Sequence, residues 1–241
     1  MIHHYASFHG GLGDYLQMST IPEELTKQGH TVHLWEKAVF RNPGIRDLVL
    51  MNPYILPPIK GGVWSLGDIP GLPYMNTQRS FIGNWEAMFG ILPPVNTLPK
   101  IYYQPKGDKM GQLKHAEFGG VIELSAISLK YNQETVFDQI VQLVLSRKDV
   151  HWLQLVGGHQ SNPIIISGIP QVKIKDIFHL CDVVANCKIF VSLNSGTHAL
   201  GAAIQRINPH YEQYCFLPRK DAGWIMDAKK FIFPNVEYLI A

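Results

Sequence analysis

Two kinds of pattern alternate along the chain: short apolar runs ending at glycine-bearing turns, and stretches in which apolar residues recur every three or four positions. Ile2 to Phe8 reads as a strand entering the loop His9-Gly10-Gly11-Leu12-Gly13, and the pattern then predicts one helix from Asp14 to about Gln28, stopped by Gly29. Thr31 to Trp35 reads as the next strand and Leu48 to Met51 as a third, giving the βαβ alternation of a parallel sheet covered by helices. From Asn52 to Pro105 the pairs Pro57-Pro58, Gly61-Gly62, Pro70-Gly71 and Pro93-Pro94 break the pattern, leaving one aromatic-rich helix predicted over Gln78 to Phe89.

A second unit opens at Gly119 to Ser125, read as a strand. Asn132 is the expected cap of the helix that follows, whose apolar face is Phe137, Ile140, Val141, Val144 and Leu145. Trp152 to Val156 is the next strand and Ile164 to Ile166 a short third. Ile177, Leu180, Cys181 and Val184 form one face of a helix over Ile174 to Ala185, which leads into the strand Ile189 to Leu193. The expected architecture is α/β, two Rossmann-like units facing an inter-domain cleft, divided as residues 1–110 and 111–241. Trp64, Tyr74, Phe81, Trp85 and Phe89 read as filling of the first core rather than a sugar-stacking platform.

Composition narrows the class further. At 241 residues and 46% hydrophobic the chain can bury a sizeable core, and a formal net charge of +2 gives no support to a nucleic-acid partner, without excluding one. Three cysteines, Cys181, Cys187 and Cys215, cannot all pair and none lies in a C-x-x-C arrangement, so neither a disulfide framework nor a zinc site is expected. Residues 1–9 lack the basic and apolar regions of a secretory signal, and no apolar run approaches the roughly 20 residues that span a bilayer. The expectation is a cytoplasmic protein whose membrane contact, if any, is peripheral.

The segment with most chemical content is Val191-Ser192-Leu193-Asn194-Ser195-Gly196-Thr197-His198-Ala199-Leu200, a strand that breaks into a polar turn and opens a helix. Unpaired N–H groups and partial positive charge at a helix start suit an anion such as a diphosphate, with Asn194, Ser195, Gly196, Thr197 and His198 as its cradle. An ordinary strand-to-helix turn is the plain alternative. No D-x-D, H-E-x-x-H or Walker-A pattern occurs, and Gly11-x-Gly13 is not completed to a dinucleotide fingerprint because residue 16 is Leu. No metal site is expected, His3, His4 and His9 included, and no cofactor. Gly157 follows a strand and either lines a nucleotide pocket or simply turns the chain.

His9-Gly10-Gly11-Leu12-Gly13-Asp14 near the start, with Ile177 to Val191 and Asn194 to Ala203 near the end, resembles the ADP-heptose:lipopolysaccharide heptosyltransferase-like glycosyltransferases (glycosyltransferase family 9-like), which have the GT-B fold. The family's first loop is G-x-L-G-D and its second motif D-S/T-G-x-x-H-L-A-A. The resemblance implies a shortened glycosyltransferase that moves a hexose or heptose from a nucleotide-sugar donor to a glycan or other hydroxyl-bearing acceptor, inverting and without a metal. It implies that Asp14 is the general base, that Gly11 and Gly13 shape the first loop, and that Lys130 neutralises phosphate charge. A helix cap for Asp14 and a surface role for Lys130 are the competing readings. Three departures stand out: Asn194 replaces the family's Asp, the interval from Asp14 to Pro22 is longer, and the chain is short. A nucleotide-sugar epimerase and a catalytically silent nucleotide- or glycan-binding protein are the rival functions.

Overall fold

The computed structural model describes residues 1–7, 10–60, 79–106, 119–125, 133–157, 165–219, 222 and 232–240. In chain order these form β1 (Ile2–Tyr5), α1 (Leu12–Gln17), α2 (Ile21–Lys27), β2 (Thr31–Leu34), α3 (Pro43–Leu50) and α4 (Phe81–Met88). There follow β3 (Gly120–Glu123), α5 (Gln133–Ser146), β4 (Trp152–Val156), β5 (Gln171–Lys173), α6 (Ile177–Ala185), β6 (Ile189–Leu193), α7 (Gly196–Ile204), β7 (Glu212–Leu217) and β8 (Glu237–Ile240). The strands make a two-stranded sheet, β1-β2, and a six-stranded sheet in the order β5-β4-β3-β6-β7-β8, with every pair parallel. Central β3 and β6 are buried along their whole length, as apolar parallel strands covered on both faces must be.

The expected helix over residues 14–28 is two helices. Pro22 has no N–H to give to residue 18 and its ring would crowd that carbonyl, so α1 ends at Gln17 and α2 restarts with the proline in its first turn. Ser19 fills the gap, its hydroxyl donating to the Leu16 carbonyl while accepting from the Lys100 N–H. The third strand expected at Leu48 to Met51 is instead the end of α3. Asn42 caps that helix by accepting from the Ile45 N–H, Pro43 opens it, and Ile45 and Leu48 are buried at helical spacing while Leu50 and Met51 face solvent. Leu56 takes the third strand's place, exchanging backbone hydrogen bonds with β2.

In the second unit Ile165 and Ile166 are not strand; the edge strand is Gln171–Lys173. The buried face of α5 includes Ile140 and Val144 and stops short of Leu145, which is exposed. Asp176 caps α6, accepting from the His179 N–H. Cys181, Cys187 and Cys215 are buried and unpaired, and burial pushes all three thiols up.

Segment 96–106 stitches the two units together. Arg206 donates to the Asn96 side chain (2.9 Å) and the Leu98 carbonyl (3.1 Å), and Tyr103 and the Lys106 N–H donate to buried Asp182 (3.0 and 2.7 Å). Leu16, Ile82, Ile101 and Tyr103 of the first unit belong to the same apolar cluster as Val121, Leu180, Ala199 and Leu200 of the second.

Glu23 anchors this segment to α2. Burial works to raise its carboxyl, but hydrogen bonds from Lys100, Tyr102 and Lys27 outweigh that and hold it at about 2 rather than 4.5. A depressed carboxyl contributes stability above its unfolded value and loses it as pH falls through the folded one. Glu23→Gln is therefore expected to lower stability near pH 7 by about 2 kcal/mol. The gap to wild type should close between pH 4.5 and about 2, and urea denaturation across that range checks it. A gap that is constant with pH would contradict the assignment.

Candidate active site

Glycine is required where the chain leaves β1. Gly10 has φ +61, and a Cβ there would lie 2.7 Å from the Val39 carbonyl oxygen. That contact locks segment 38–42 against the start of α1, helped by the Arg41 N–H donating to the Gly10 carbonyl (2.9 Å) and by Tyr15. Tyr15 stacks on Phe40 with centroids 4.7 Å apart and donates its hydroxyl to the Val39 carbonyl, burial pushing that hydroxyl up to about 12.

Gly11 is the extended N-cap of α1, and half-buried Asp14 reaches back so that one carboxylate oxygen, Oδ2, accepts from the Gly11 N–H at 3.1 Å. The cap role weighed for Asp14 is thus realised. Its second oxygen receives no hydrogen bond from the described residues.

At the start of α7 Ser195 is the N-cap, its hydroxyl accepting from the Thr197 N–H (3.3 Å) and lying 2.8 Å from the Thr197 hydroxyl. Ser195 and Gly196 are half-buried, Thr197 and His198 buried. His198 is fully enclosed, with Nδ1 2.6 Å from the Ser195 carbonyl oxygen and its ring against Phe233 and Tyr238. The His198 N–H in turn donates to the Ser195 hydroxyl, so neither its ring nor its N–H is offered to an anion at this helix end. Asn194 is also buried, its side chain engaging Cys215: burial raises that thiol, and hydrogen bonds with Ser192 and Asn194 act against the rise. A carboxylate at position 194 would be desolvated beside a neutral thiol, which is a physical reason for the amide found there.

The two glycine turns meet. A Cβ on Gly196 would sit 2.9 Å from the Gly13 nitrogen and 2.9 Å from Leu12 Cβ, so the first turns of α1 and α7 are in direct contact across the boundary between units. Gly11, Gly13, Asp14, Ser195, Gly196 and Thr197 are thereby gathered into one region. Gly157 is elsewhere on the sheet: it ends β4 with φ +104 beside Lys173, and β3 separates it from β6. Lys130 lies outside the described residues, as do His9, Asn132, Gly158, His159, Trp64 and Tyr74.

Two residues of this region were not singled out as candidates by the sequence patterns. Glu123, buried at the carboxyl end of β3 beside β6, accepts from the Ser125 backbone and hydroxyl, and a carboxylate breaking the run Val121-Ile122-Glu123-Leu124 was its signal. Arg41 had no signal at all. Its guanidinium comes within 3.5 Å of the point a Gly11 Cβ would occupy, which is also 2.7 Å from Asp14 Oδ2. Among the described residues no group of three or more His, Cys, Asp or Glu is placed to hold a metal, His3 and His4 included. His3 pairs with His30 at 2.9 Å and His4 is buried in β1.

No family model matches the sequence, and no curated protein matches it in sequence. Solved structures do match. The glycosyl transferase family 9 protein of Veillonella parvula DSM 2008 superposes with a TM-score of 0.63 at 11% identity, covering 100% of this chain and 85% of that one. The chain has the GT-B fold of these glycosyltransferases. Escherichia coli ADP-heptose lps heptosyltransferase II gives a TM-score of 0.60 at 9% identity, covering 99% of this chain and 89% of that one. The dodecameric glycosyltransferase TibC of enterotoxigenic E. coli H10407, described as iron-containing, gives 0.62 at 14% identity; 98% of this chain matches, spanning 61% of the TibC chain. The iron is a property of TibC; among the described residues of this chain no group of three or more His, Cys, Asp or Glu could hold a metal ion. Nor is any helix among the described residues long and apolar enough to cross a membrane.

Proposed function

We propose that the protein transfers a glycosyl group from a nucleotide-sugar donor to the hydroxyl of a glycan or similar acceptor. The observation that carries this reading is the contact of Gly13 with Gly196, which brings Asp14 and the first turn of α7 together within a GT-B fold. The donor diphosphate rests at the first turn of α7 against the Gly196 N–H and the hydroxyls of Ser195 and Thr197, the neighbouring N–H groups being taken by the capping contacts, and the helix end offsets the charge that grows on the leaving phosphate. The free oxygen of Asp14 takes the acceptor proton as the acceptor oxygen attacks the anomeric carbon. Attack opposite the leaving group inverts that centre, and no metal is needed to bridge the diphosphate.

Two structures of similar fold, TibC in complex with ADP-D-beta-D-heptose and the E. coli heptosyltransferase WaaC with ADP, put adenosine diphosphate sugars first in the screen. Thermal shift against ADP-, UDP-, GDP-, CMP- and TDP-sugars tests the reading, since a ligand that binds only the native state raises its melting temperature. One nucleotide class is expected to stabilise the protein; a flat response across the panel would contradict it. The capping bond of Asp14 favours a second reading, a silent nucleotide- or glycan-binding protein. Donor breakdown above background in the presence of hydroxyl acceptors separates the two, and a changed sugar formed from donor alone would instead mark an epimerase. Cytoplasmic placement, with peripheral membrane contact at most, belongs to the same proposal.

A further inference from the structure

We infer that the two units are locked into one rigid body, so that ligands reach the α1–α7 junction without the units parting. The lock is a property of the boundary and holds whatever ligand the site takes. Units that meet across a thin polar boundary move against each other, and a large apolar boundary stops them. Here the boundary is apolar and continuous. Leu16 of α1, Leu48 of α3, Ile82 of α4 and Ile101 of the connecting segment are none of them more than 7% exposed, and they share one core cluster with Leu180 of α6 and Leu200 of α7. Parting the units would return that surface to water.

Directional contacts fix the boundary at separate places. Both ends of α7 are held: Gly196 abuts Gly13 at the start, and Arg206, just past the end, donates to the Asn96 side chain and the Leu98 carbonyl. Helix α6 is held independently. A Cβ on Gly44 of α3 would lie 3.2 Å from Ile177 Cγ2 and 3.4 Å from Ile177 Cβ, so α3 and α6 approach as closely as glycine allows. Further along α6, buried Asp182 accepts from the Tyr103 hydroxyl and the Lys106 N–H, and the Tyr103 ring packs on Phe178 with centroids 4.8 Å apart. A hinge axis through both ends of α7 would still tear the α6 contacts, and an axis along α6 would tear those of α7. The Ser195 turn and Asp14 are therefore kept at a fixed separation before any ligand arrives, and no binding energy goes into bringing them together.

A disulfide between Gly44→Cys and Ile177→Cys tests this, because the Cβ positions there are near the separation such a bond needs. Cys181, Cys187 and Cys215 are buried, so mild oxidation is directed to the new pair. The probe is the nucleoside diphosphate that stabilises wild type most, with its sugar conjugate as donor. Oxidised and reduced forms are expected to agree within about twofold in affinity and kcat, since a cross-link costs nothing when the competent state is already the populated one. Slower nucleotide association in the oxidised form, or kcat at least about 10-fold lower and restored by reduction, would overturn the lock. Amide exchange of wild type in rising urea reads the same claim without ligand or substitution. The slowest amides of β2 in the first unit and of β3 and β6 in the second are expected to converge on one opening event. Opening of one unit while the other stays protected would overturn the lock. Failure of every nucleotide to bind wild type would instead overturn the glycosyl-transfer reading, with the exchange result still deciding the lock.

Discussion

Replacing Gly196 by valine is expected to cost the protein its nucleotide affinity together with part of its stability. The first atom of any side chain there would meet the Gly13 nitrogen and Leu12 Cβ, both at 2.9 Å. The nitrogen is backbone, held by a helix that is buried along most of its length, so α1 and α7 must separate. Overpacking of this kind costs about 1–3 kcal/mol, or roughly 3–10 °C in melting temperature for a chain of this size. Separation also moves the Ser195 turn away from Asp14, and nucleotide affinity is expected to fall at least about 10-fold. Gly201→Ala is the control. It crowds the Gln213 side chain and Phe190 (2.7 and 2.8 Å) on the sheet side of α7, where Gln213 donates to the His198 carbonyl, so it should destabilise while leaving the contact of Gly13 with Gly196 in place. Calorimetry on both variants at a temperature where each is folded separates the effects. Equal affinity in Gly196→Val and wild type would remove the turn from the site.

Asp14→Asn is expected to abolish transfer while leaving donor binding and folding nearly intact. An asparagine side-chain oxygen can still accept from the Gly11 N–H, preserving the bond now made at 3.1 Å, but an amide cannot take a proton from the acceptor. Loss of a general base lowers turnover about 100- to 10,000-fold. Asp14→Ala adds loss of the capping bond, about 1 kcal/mol, so it should melt a few degrees lower than Asp14→Asn with the same loss of turnover. If the two variants differ in stability but both turn over like wild type, Asp14 is a cap and nothing more.

These two residues also show what the sequence could disclose. The strand 189–193 and the helix after it were legible because the apolar run, the polar turn and the following helix are each local signals. The contact of Gly13 with Gly196 was not, since it joins positions 183 residues apart and neither glycine records its neighbour. Helix α3 was misread for a local reason: four apolar residues, Leu48 to Met51, suit a strand or a helix equally, and the Asn42-Pro43 start signal that decides the matter lies five residues upstream. Pro22 carried the break in the first helix in plain view. The place of Arg41 beside Asp14 was hidden because it comes from the Gly10 and Tyr15 contacts that hold its loop, and a lone arginine before Asn-Pro has no pattern of its own. His198 illustrates the reverse. A histidine in a first helical turn beside a phosphate-type motif invites a chemical role, and the fold seals its ring against Phe233 and Tyr238.

The central claim is that a nucleotide-sugar diphosphate binds where α1 meets α7. Amide hydrogen exchange reads this most directly, comparing the protein alone with the protein saturated by the nucleoside diphosphate that stabilises it most. Slowed exchange concentrated at residues 195–198 and 11–14 is the expected result. Protection confined to other segments, with these two turns unchanged, would contradict the account.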